Sequence, residues 1–124
     1  MRKIVKTHLP NESAPIEWAA MGGDYLYTAH IPINEDGSIE TGDIATQTKL
    51  TMDNLKRTVE AAGGTMDDVT QVLVYLPNKE DFQGMNEVYR TYFNKPFPNR
   101  ATVVAGLMVQ GARIEIVAHA HIKG

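Results

Sequence analysis

The stretch Arg113-Ile-Glu-Ile-Val-Ala-His-Ala-His-Ile122 alternates in side-chain character along its whole length. Successive side chains of a β-strand point to opposite faces of its sheet, so the stretch presents two different rows. One row is apolar and consists of Ile114, Ile116, Ala118, Ala120 and Ile122. The other is mixed and consists of Arg113, Glu115, Val117, His119 and His121. The pattern predicts a strand of a sheet that has one face covered by other elements.

Three more segments upstream are predicted to be strands. Residues 25–31, 71–76 and 101–105 are rich in β-branched and aromatic residues, and the second of them has little polar character, as expected of a strand in the middle of a sheet. Ile33 and Ile39 flank a segment that contains Asp36-Gly37, a strong turn signal. This segment is predicted to form a hairpin or tight loop after the first of these strands.

Two segments have the spacing of helices. In residues 43–62, apolar and threonine side chains recur every three or four positions, Asp43 is a suitable N-cap, and Gly63-Gly64 ends the pattern. In residues 81–93, the same spacing relates Phe82, Met85, Tyr89 and Phe93, and two prolines that follow prevent continuation. We expect a second helix of about three turns with these aromatic and methionine side chains in the core.

The order of elements indicates an α+β fold with a sheet of roughly six strands and two helices on one face. A chain of 124 residues with 43% hydrophobic content can form one continuous core, so we expect one domain, residues 1–124. No further elements of the chain are then available to cover the other face of the sheet, and self-association is the simplest way to bury it. The row that contains Glu115, Val117, His119 and His121 suits a subunit interface, although a solvated face would look similar.

Composition narrows the possible functions. The formal net charge is -3, with acidic and basic residues interspersed, so neither nucleic acid nor membrane is an expected partner. The absence of cysteine excludes disulfides, thiolate metal sites and cysteine nucleophiles. The sequence has no nucleotide-binding glycine motif, hydrolase elbow, zincin motif or run of 18 apolar residues. We expect a cytoplasmic protein.

Arg100 and Glu115 are the first candidates for chemistry. Arg100 lies between a proline-stiffened loop and a strand, where a fixed guanidinium can grip a carboxylate through two parallel hydrogen bonds. An ordinary solvated arginine at the start of a strand would have the same local pattern. Glu115 can accept a proton or orient a water if it lines a cleft. Alternatively, it belongs to the exposed half of the strand and pairs with a neighbouring cation such as Arg113.

Histidines and one amide complete the set of candidates. His119 and His121 share a strand face, and His8 and His30 could add metal ligands, but no third ligand adjoins the pair in sequence and interface histidines explain it equally well. We therefore expect no metal. Asn86 lies one residue from the apolar stripe of the second helix, where a buried amide needs hydrogen-bond partners.

Read together, four stretches in order resemble the RidA family, also called the YjgF or reactive intermediate deaminase family. The likeness covers nearly the whole chain. Its stretches are Thr28-Ala-His-Ile-Pro32 with the following turn; Gln47 through Asp53-Asn-Leu55 to Glu60-Ala-Ala-Gly63; Asp81-Phe82 with Met85-Asn-Glu-Val-Tyr89 and Tyr92-Phe93; and Pro98-Asn-Arg100 with Arg113-Ile-Glu115-Ile.

The resemblance implies a chorismate-mutase-like fold and a homotrimer with active sites in clefts between subunits. It implies cofactor-independent hydrolysis of 2-aminoacrylate-type enamines and their imine tautomers to 2-keto acids and ammonia. Arg100 matches the family's carboxylate-binding arginine, and Glu115 matches its glutamate near the attacking water. An imine is already electrophilic, so holding the carboxylate and placing a water suffices. Thr102 points the same way as Arg100 along the strand and can add a hydrogen bond.

The chain departs from the family pattern beside this site. Many members have Ser-Gly-Gln at Thr28-Ala29-His30, so Ala29 replaces a glycine whose backbone amide approaches the substrate. Ala101 stands where a serine commonly follows the arginine, and Trp18 is the aromatic that can close the pocket. These departures leave two alternatives open. One is a deaminase specific to an aminomuconate-type or pyrimidine-breakdown intermediate, and the other is a non-enzymatic protein that binds a 2-keto acid or acts as a chaperone.

Overall fold

The computed structural model describes residues 1–10 and 13–123. This part of the chain forms six strands and two α-helices, with short 3₁₀ turns between some of them. In chain order they are β1 (Lys3–Ile4), β2 (Ala19–Gly22), β3 (Tyr25–His30), α1 (Ile44–Ala61), β4 (Val69–Leu76), α2 (Phe82–Tyr89), β5 (Asn99–Val104) and β6 (Glu115–His121).

The six strands form one mixed sheet in the order β1-β2-β3-β6-β4-β5. All neighbouring strands are antiparallel except β4 and β5, which are parallel because α2 carries the chain back between them. The predicted α+β class, the six strands and the mixed sheet with two helices are confirmed. Strand β4 lies between β6 and β5, as its low polarity predicts.

The core lies between the sheet and the two helices. Apolar side chains of alternate strand positions, such as Val72, Val74 and Ile116, are fully buried together with Leu55 of α1 and Met85 of α2. The row of β6 that starts at Ile114 is buried, and the row that contains Glu115 is half-buried. The alternation in the sequence therefore assigns the two faces of this strand correctly.

The first helix begins and ends where its sequence signals place it. The Asp43 side chain accepts a hydrogen bond from the backbone N–H of Thr46 at 2.8 Å, which caps the helix. Gly63 has a φ of +94°, a conformation that costs glycine nothing, and it follows the last turn. The turn after β3 is also confirmed, since Ile33 and Ile39 form a bridge across it.

The second helix is shorter than its spacing predicts. Helix α2 has 8 residues and is flanked by 3₁₀ turns at Lys79–Asp81 and Arg90–Tyr92. The prediction that all its large side chains are core is wrong for Phe82, which is 38% exposed. This ring lies beside Arg100 of β5, the last strand of the sheet, and so stands at the margin of the core.

The face of the sheet opposite the helices carries long rows of side chains across four strands. One row consists of Ala29, Val117, Leu73 and Ala101. The next consists of Tyr27, His119, Gln71 and Asn99. Tyr27 is 49% exposed, and the β6 members of both rows are half-buried. We call this surface the open face.

Candidate active site

Arg100 is the second residue of β5, inside the strand rather than ahead of it. It pairs with Val72 of β4, whose side chain is fully buried under the helices. Side chains of paired residues point to the same side of a sheet, so Arg100 lies on the helix face. It is partly buried there, against α2.

Aromatic rings and a sulfur atom surround the Arg100 guanidinium. Its central carbon lies 4.7 Å from the ring centroid of Tyr89 and 5.8 Å from that of Phe82, and Nη1 lies 3.9 Å from Sδ of Met85. Cation–π attraction fixes the plane of the group. None of the ion pairs among the described residues includes Arg100. The charge is therefore oriented and partly desolvated without a counter-ion from this part of the chain.

A cavity of about 250 Å³ opens beside Arg100 and is also lined by Asn86, Tyr89, Phe97 and Pro98. Asn86 is half-buried there, so the structure brings it and Arg100 together. Burial raises the pKa of Tyr89 to about 12, and the Arg100 charge opposes this shift. The phenol is thus neutral at physiological pH, and the positive charges at the cavity are those of Arg100 and Arg90, which also lines it.

Thr102 lies two residues beyond Arg100 on the same strand and pairs with the buried Val74. It therefore shares the helix face with Arg100, as its spacing predicts. Thr102 lines a separate cavity of about 430 Å³, to which Phe82 and Val104 also contribute.

Ala29 and Trp18 line a third cavity, of about 710 Å³, together with Tyr27 and Val117. The backbone N–H of Ala29 donates to the carbonyl of Trp18 at 3.2 Å, which extends the pairing of β2 and β3. That amide is committed to the sheet and is not directed at the cavity. The Trp18 ring lies at one wall, and its Nε1 donates to the carbonyl of Pro10 at 2.7 Å.

A buried histidine supports this wall, a role that no local pattern in the sequence indicates. The Thr28 hydroxyl donates to the Trp18 carbonyl at 2.9 Å and lies 2.5 Å from Nε2 of His30. Because a hydroxyl has a single hydrogen, His30 donates through Nε2 and its Nδ1 is unprotonated. Burial lowers the pKa of His30 to about 3, so the ring is neutral. It lies nearly parallel to the Trp18 ring, with centroids 6.1 Å apart.

Glu115 is the first residue of β6 and pairs with Tyr75 of β4. It lies on the open face, two residues from Val117 at the third cavity. Partial burial raises the pKa of its carboxyl above the ordinary value of a glutamate. Glu115 is therefore neither fully solvated nor part of the core.

The alternative in which Arg113 pairs with Glu115 is wrong. Arg113 binds Asp81 through two hydrogen bonds, from Nε at 3.1 Å and from Nη2 at 2.7 Å. The backbone N–H of Arg113 donates to Oε1 of Gln47 at 2.6 Å. These contacts join the segment before β6 to α1 and to the 3₁₀ turn before α2. The local spacing of residues on one strand carries no information about such distant partners.

The histidines are not grouped as a metal site. His30 lies in the core beneath the helices, whereas His119 and His121 lie on the open face next to Tyr27 and Tyr25. Among residues 1–10 and 13–123, no three His, Cys, Asp or Glu side chains are placed to hold a metal ion.

Neither helix in the described part of the chain combines the length and the apolar character needed to cross a bilayer.

Comparison with known proteins gives consistent relationships over nearly the whole chain. The family model described as Endoribonuclease L-PSP matches residues 9–122. A RutC family protein of Pyrococcus horikoshii is 38% identical over 124 residues, which are 98% of each protein. The 2-iminobutanoate/2-iminopropanoate deaminase of Dermatophagoides farinae is 33% identical over 118 residues, 93% of this chain and 92% of that protein. The structure of a Yersinia pestis protein of the conserved Rid family has a TM-score of 0.92 and 28% identity, covering 98% of this chain and 100% of that chain.

Proposed function

The chain belongs to the Endoribonuclease L-PSP family, which includes the Rid proteins, and we propose that it is a cofactor-independent enamine/imine deaminase. Its substrates are 2-aminoacrylate-type enamines and their imine tautomers, and its products are 2-keto acids and ammonia. One observation carries the proposal: Arg100 is oriented by aromatic rings at a cavity and has no carboxylate partner among the described residues. A relative named as a deaminase of this kind supports it.

Arg100 binds the substrate's carboxylate in this proposal. A guanidinium is planar and offers parallel N–H donors in a geometry that matches a carboxylate. The Tyr89 ring lies 4.7 Å from the guanidinium carbon, and none of the ion pairs among the described residues occupies the N–H donors of the group. Asn86 at the same cavity is a second hydrogen-bonding group for the carboxylate or the imine nitrogen.

The chemical step needs little more than a placed water. The enamine first takes a proton on its terminal carbon and becomes the imine. Water then adds to the imine carbon, a proton moves from the added oxygen to nitrogen, and the carbon–nitrogen bond breaks to give the keto acid and ammonia. We assign Glu115 as the group that accepts the proton from water and returns it to the leaving nitrogen, and its raised pKa suits both roles.

We propose that the site forms between copies of the chain in a homotrimer. Arg100, Asn86 and Thr102 lie on the helix face, whereas Glu115 and the cavity at Trp18 and Ala29 lie at the open face. An uncovered sheet face is also the surface that a second copy would bury. Each site would then combine Arg100 of one copy with Glu115 of another.

The name of the family model raises the alternative of RNA cleavage. Proteins that bind RNA commonly use clusters of lysine and arginine side chains to neutralise its phosphates. This chain has a net charge of -3, and its charges are interspersed, so we propose that nucleic acid is not a partner. Filter binding with single-stranded RNA tests this, and retention at physiological salt would favour the alternative.

The cellular compartment stays a prediction from the sequence. The cytoplasm is our proposal. A relative from Schizosaccharomyces pombe, 34% identical over 105 residues, has a name that places it in mitochondria.

The decisive experiment follows the loss of 2-aminoacrylate-derived imine, generated in situ from serine by a pyridoxal-phosphate dehydratase. We expect the wild-type protein to accelerate hydrolysis and Arg100→Ala to lose roughly 10- to 100-fold, since hydrogen bonds to charged groups contribute about 1.5–3 kcal/mol. Arg100→Lys keeps the charge but not the paired donors, so its activity should also fall. Arg57→Ala, which breaks the surface ion pair with Glu35, is the matched control. A wild-type protein without acceleration contradicts the proposal.

A further inference from the structure

A second arginine, Arg90, lines the cavity of about 250 Å³ beside Arg100. Arg90 directly follows the last residue of α2, and its backbone, with a φ of -60° and a ψ of -24°, continues the helical conformation. It stands four residues after Asn86, and residues four apart on a helix lie one above the other on the same face. Asn86 and Arg90 therefore form one row along this side of the cavity, and Arg100 approaches it from β5. We call it the two-arginine cavity.

The two-arginine cavity has a positive charge that no acidic group balances. None of the residues that line it in the described part of the chain is an aspartate or a glutamate. Neither arginine belongs to an ion pair formed within residues 1–10 and 13–123. The two guanidinium groups repel each other, and an anion bound to each of them removes this repulsion. The arrangement therefore favours a ligand with two negative charges.

A cation in the last turn of a helix also has an ordinary structural explanation. It interacts favourably with the carbonyl end of the helix dipole and requires no ligand to do so. That interaction depends on the position of Arg90 along the axis of α2 and not on the side of the helix from which it projects. It therefore does not account for the placement of Arg90 at the same cavity as Arg100.

The two arginines differ in burial in a way that suits the two ends of one small ligand. Arg100 is partly buried against the Tyr89 ring, whereas Arg90 is exposed. Sites for drug-sized ligands usually have volumes of about 300–1,000 Å³. The two-arginine cavity, at about 250 Å³, suits a smaller metabolite. One end of such a ligand would be fixed at Arg100, and its other end would meet Arg90 nearer to solvent.

We propose that Arg90 binds a second carboxylate of the substrate while Arg100 binds the carboxylate next to the imine carbon. The inference rests on the proposed function and names its substrate class: 2-imino dicarboxylic acids of four or five carbons, such as the imines of aspartate and glutamate. Arg100 takes the carboxylate that all substrates of the proposed reaction share. Arg90 distinguishes dicarboxylic from monocarboxylic substrates, so it determines specificity and has no part in proton transfer.

The test compares imines of nearly equal size that differ in charge. Amino-acid oxidases generate them from aspartate and glutamate, and from the corresponding amides, asparagine and glutamine. For the wild-type protein we expect kcat/KM to be higher for each acid than for its amide. Arg90→Gln should lower the acid-to-amide ratio of kcat/KM by roughly 3- to 10-fold, between the effects of an exposed ion pair and of a hydrogen bond to a buried charged group. Arg90→Lys keeps the charge and should lower the ratio less.

Lys56→Gln is the matched control for the change in net charge. Lys56 is exposed on α1 and lines a different cavity, so its substitution leaves the two-arginine cavity intact. Its acid-to-amide ratio should equal that of the wild-type protein. A wild-type protein that does not prefer the acids overturns the inference, as does a ratio unchanged in Arg90→Gln. An equal fall in Arg90→Gln and Lys56→Gln also overturns it, because the preference would then come from long-range attraction alone.

A second measurement separates the failure of this inference from the failure of the proposed function. Calorimetry with 2-oxoglutarate and 2-oxopentanoate, which have the same number of carbons and differ by one carboxylate, needs no turnover. Tighter binding of 2-oxoglutarate that is lost in Arg90→Gln supports the inference even if no imine is hydrolysed. Active wild-type protein that binds both keto acids equally overturns the inference and leaves the deaminase assignment standing. Absence of both turnover and keto-acid binding overturns the two together.

Discussion

Arg100 and Glu115 lie on opposite faces of the same sheet. Arg100 pairs with Val72, Val72 pairs with Ala118, and Glu115 lies three residues before Ala118 on β6. The two Cα atoms are thus separated by two strand spacings and three residues, roughly 14 Å, and their side chains diverge from the sheet. A substrate of a few carbons cannot touch both groups of one chain.

The first prediction follows from that separation. Arg100→Ala and Glu115→Gln should each lose most of the activity when expressed alone, but co-expression with two different tags should restore part of it. If subunits mix at random in a closed ring, roughly a quarter of the sites combine an intact Arg100 with an intact Glu115. The measurement is specific activity of the purified mixed oligomer. Two copies of the same variant, co-expressed with the same tags, are the control. Absence of recovery in a mixed oligomer that has formed would place the site within one chain.

The open face should be the surface of association. Leu73 lies at its centre, in the row between Val117 and Ala101. Leu73→Glu introduces a charge that a buried interface cannot solvate, so we expect light scattering to report a mass near 13.7 kDa, with loss of deaminase activity and an unchanged circular dichroism spectrum. Wild-type protein should have three times that mass. Met108→Glu, at a residue 98% exposed, should remain associated. A monomeric wild-type protein contradicts the shared site.

His30 should make the fold sensitive to acid. Burial lowers its pKa from 6.5 to about 3, so below pH 6.5 the unfolded chain takes up a proton that the folded chain excludes. The free energy of unfolding should fall by up to about 1.4 kcal/mol per pH unit between pH 6 and pH 4. Urea unfolding of wild type and His30→Gln at several pH values isolates this contribution, because the carboxyl groups are common to both proteins. If the free energy of unfolding has the same dependence on pH in both proteins, His30 does not remain neutral in the folded chain.

The ion pair between Arg113 and Asp81 should stabilise the fold more than surface pairs do. The Asp81 side chain is 6% exposed and accepts two hydrogen bonds from Arg113, so Asp81→Ala leaves a partly buried guanidinium without them. We expect the free energy of unfolding to fall by about 1–3 kcal/mol. Lys49→Ala breaks the exposed pair with Asp53 and should cost less than about 1 kcal/mol. If Asp81→Ala and Lys49→Ala lower the free energy of unfolding equally in denaturant titrations, the burial of Asp81 adds nothing to the stability that its ion pair contributes.

Much of the fold follows from local patterns. Alternation in residues 113–122 assigns the buried row of β6, and the signals at Asp43 and Gly63 bound α1. Strands β1 and β2 gave no usable signal, because segments of two and four residues are too short for a period of two to stand out. The second helix is shorter than its spacing predicts, since helical spacing does not distinguish an α-helix from flanking 3₁₀ turns.

The features of the candidate site also fall into those that local patterns predict and those that they do not. The sequence by itself indicated the candidate residues for chemistry, and it determined that Arg100 and Thr102 share a face, because side-chain direction along a strand is a local property. Only the tertiary structure decided that Tyr89 and Phe82 hold Arg100, that Arg113 binds Asp81 and that Glu115 faces away from Arg100. These relationships depend on which strands pair and which face the helices cover, and both are set by contacts between residues far apart in the chain.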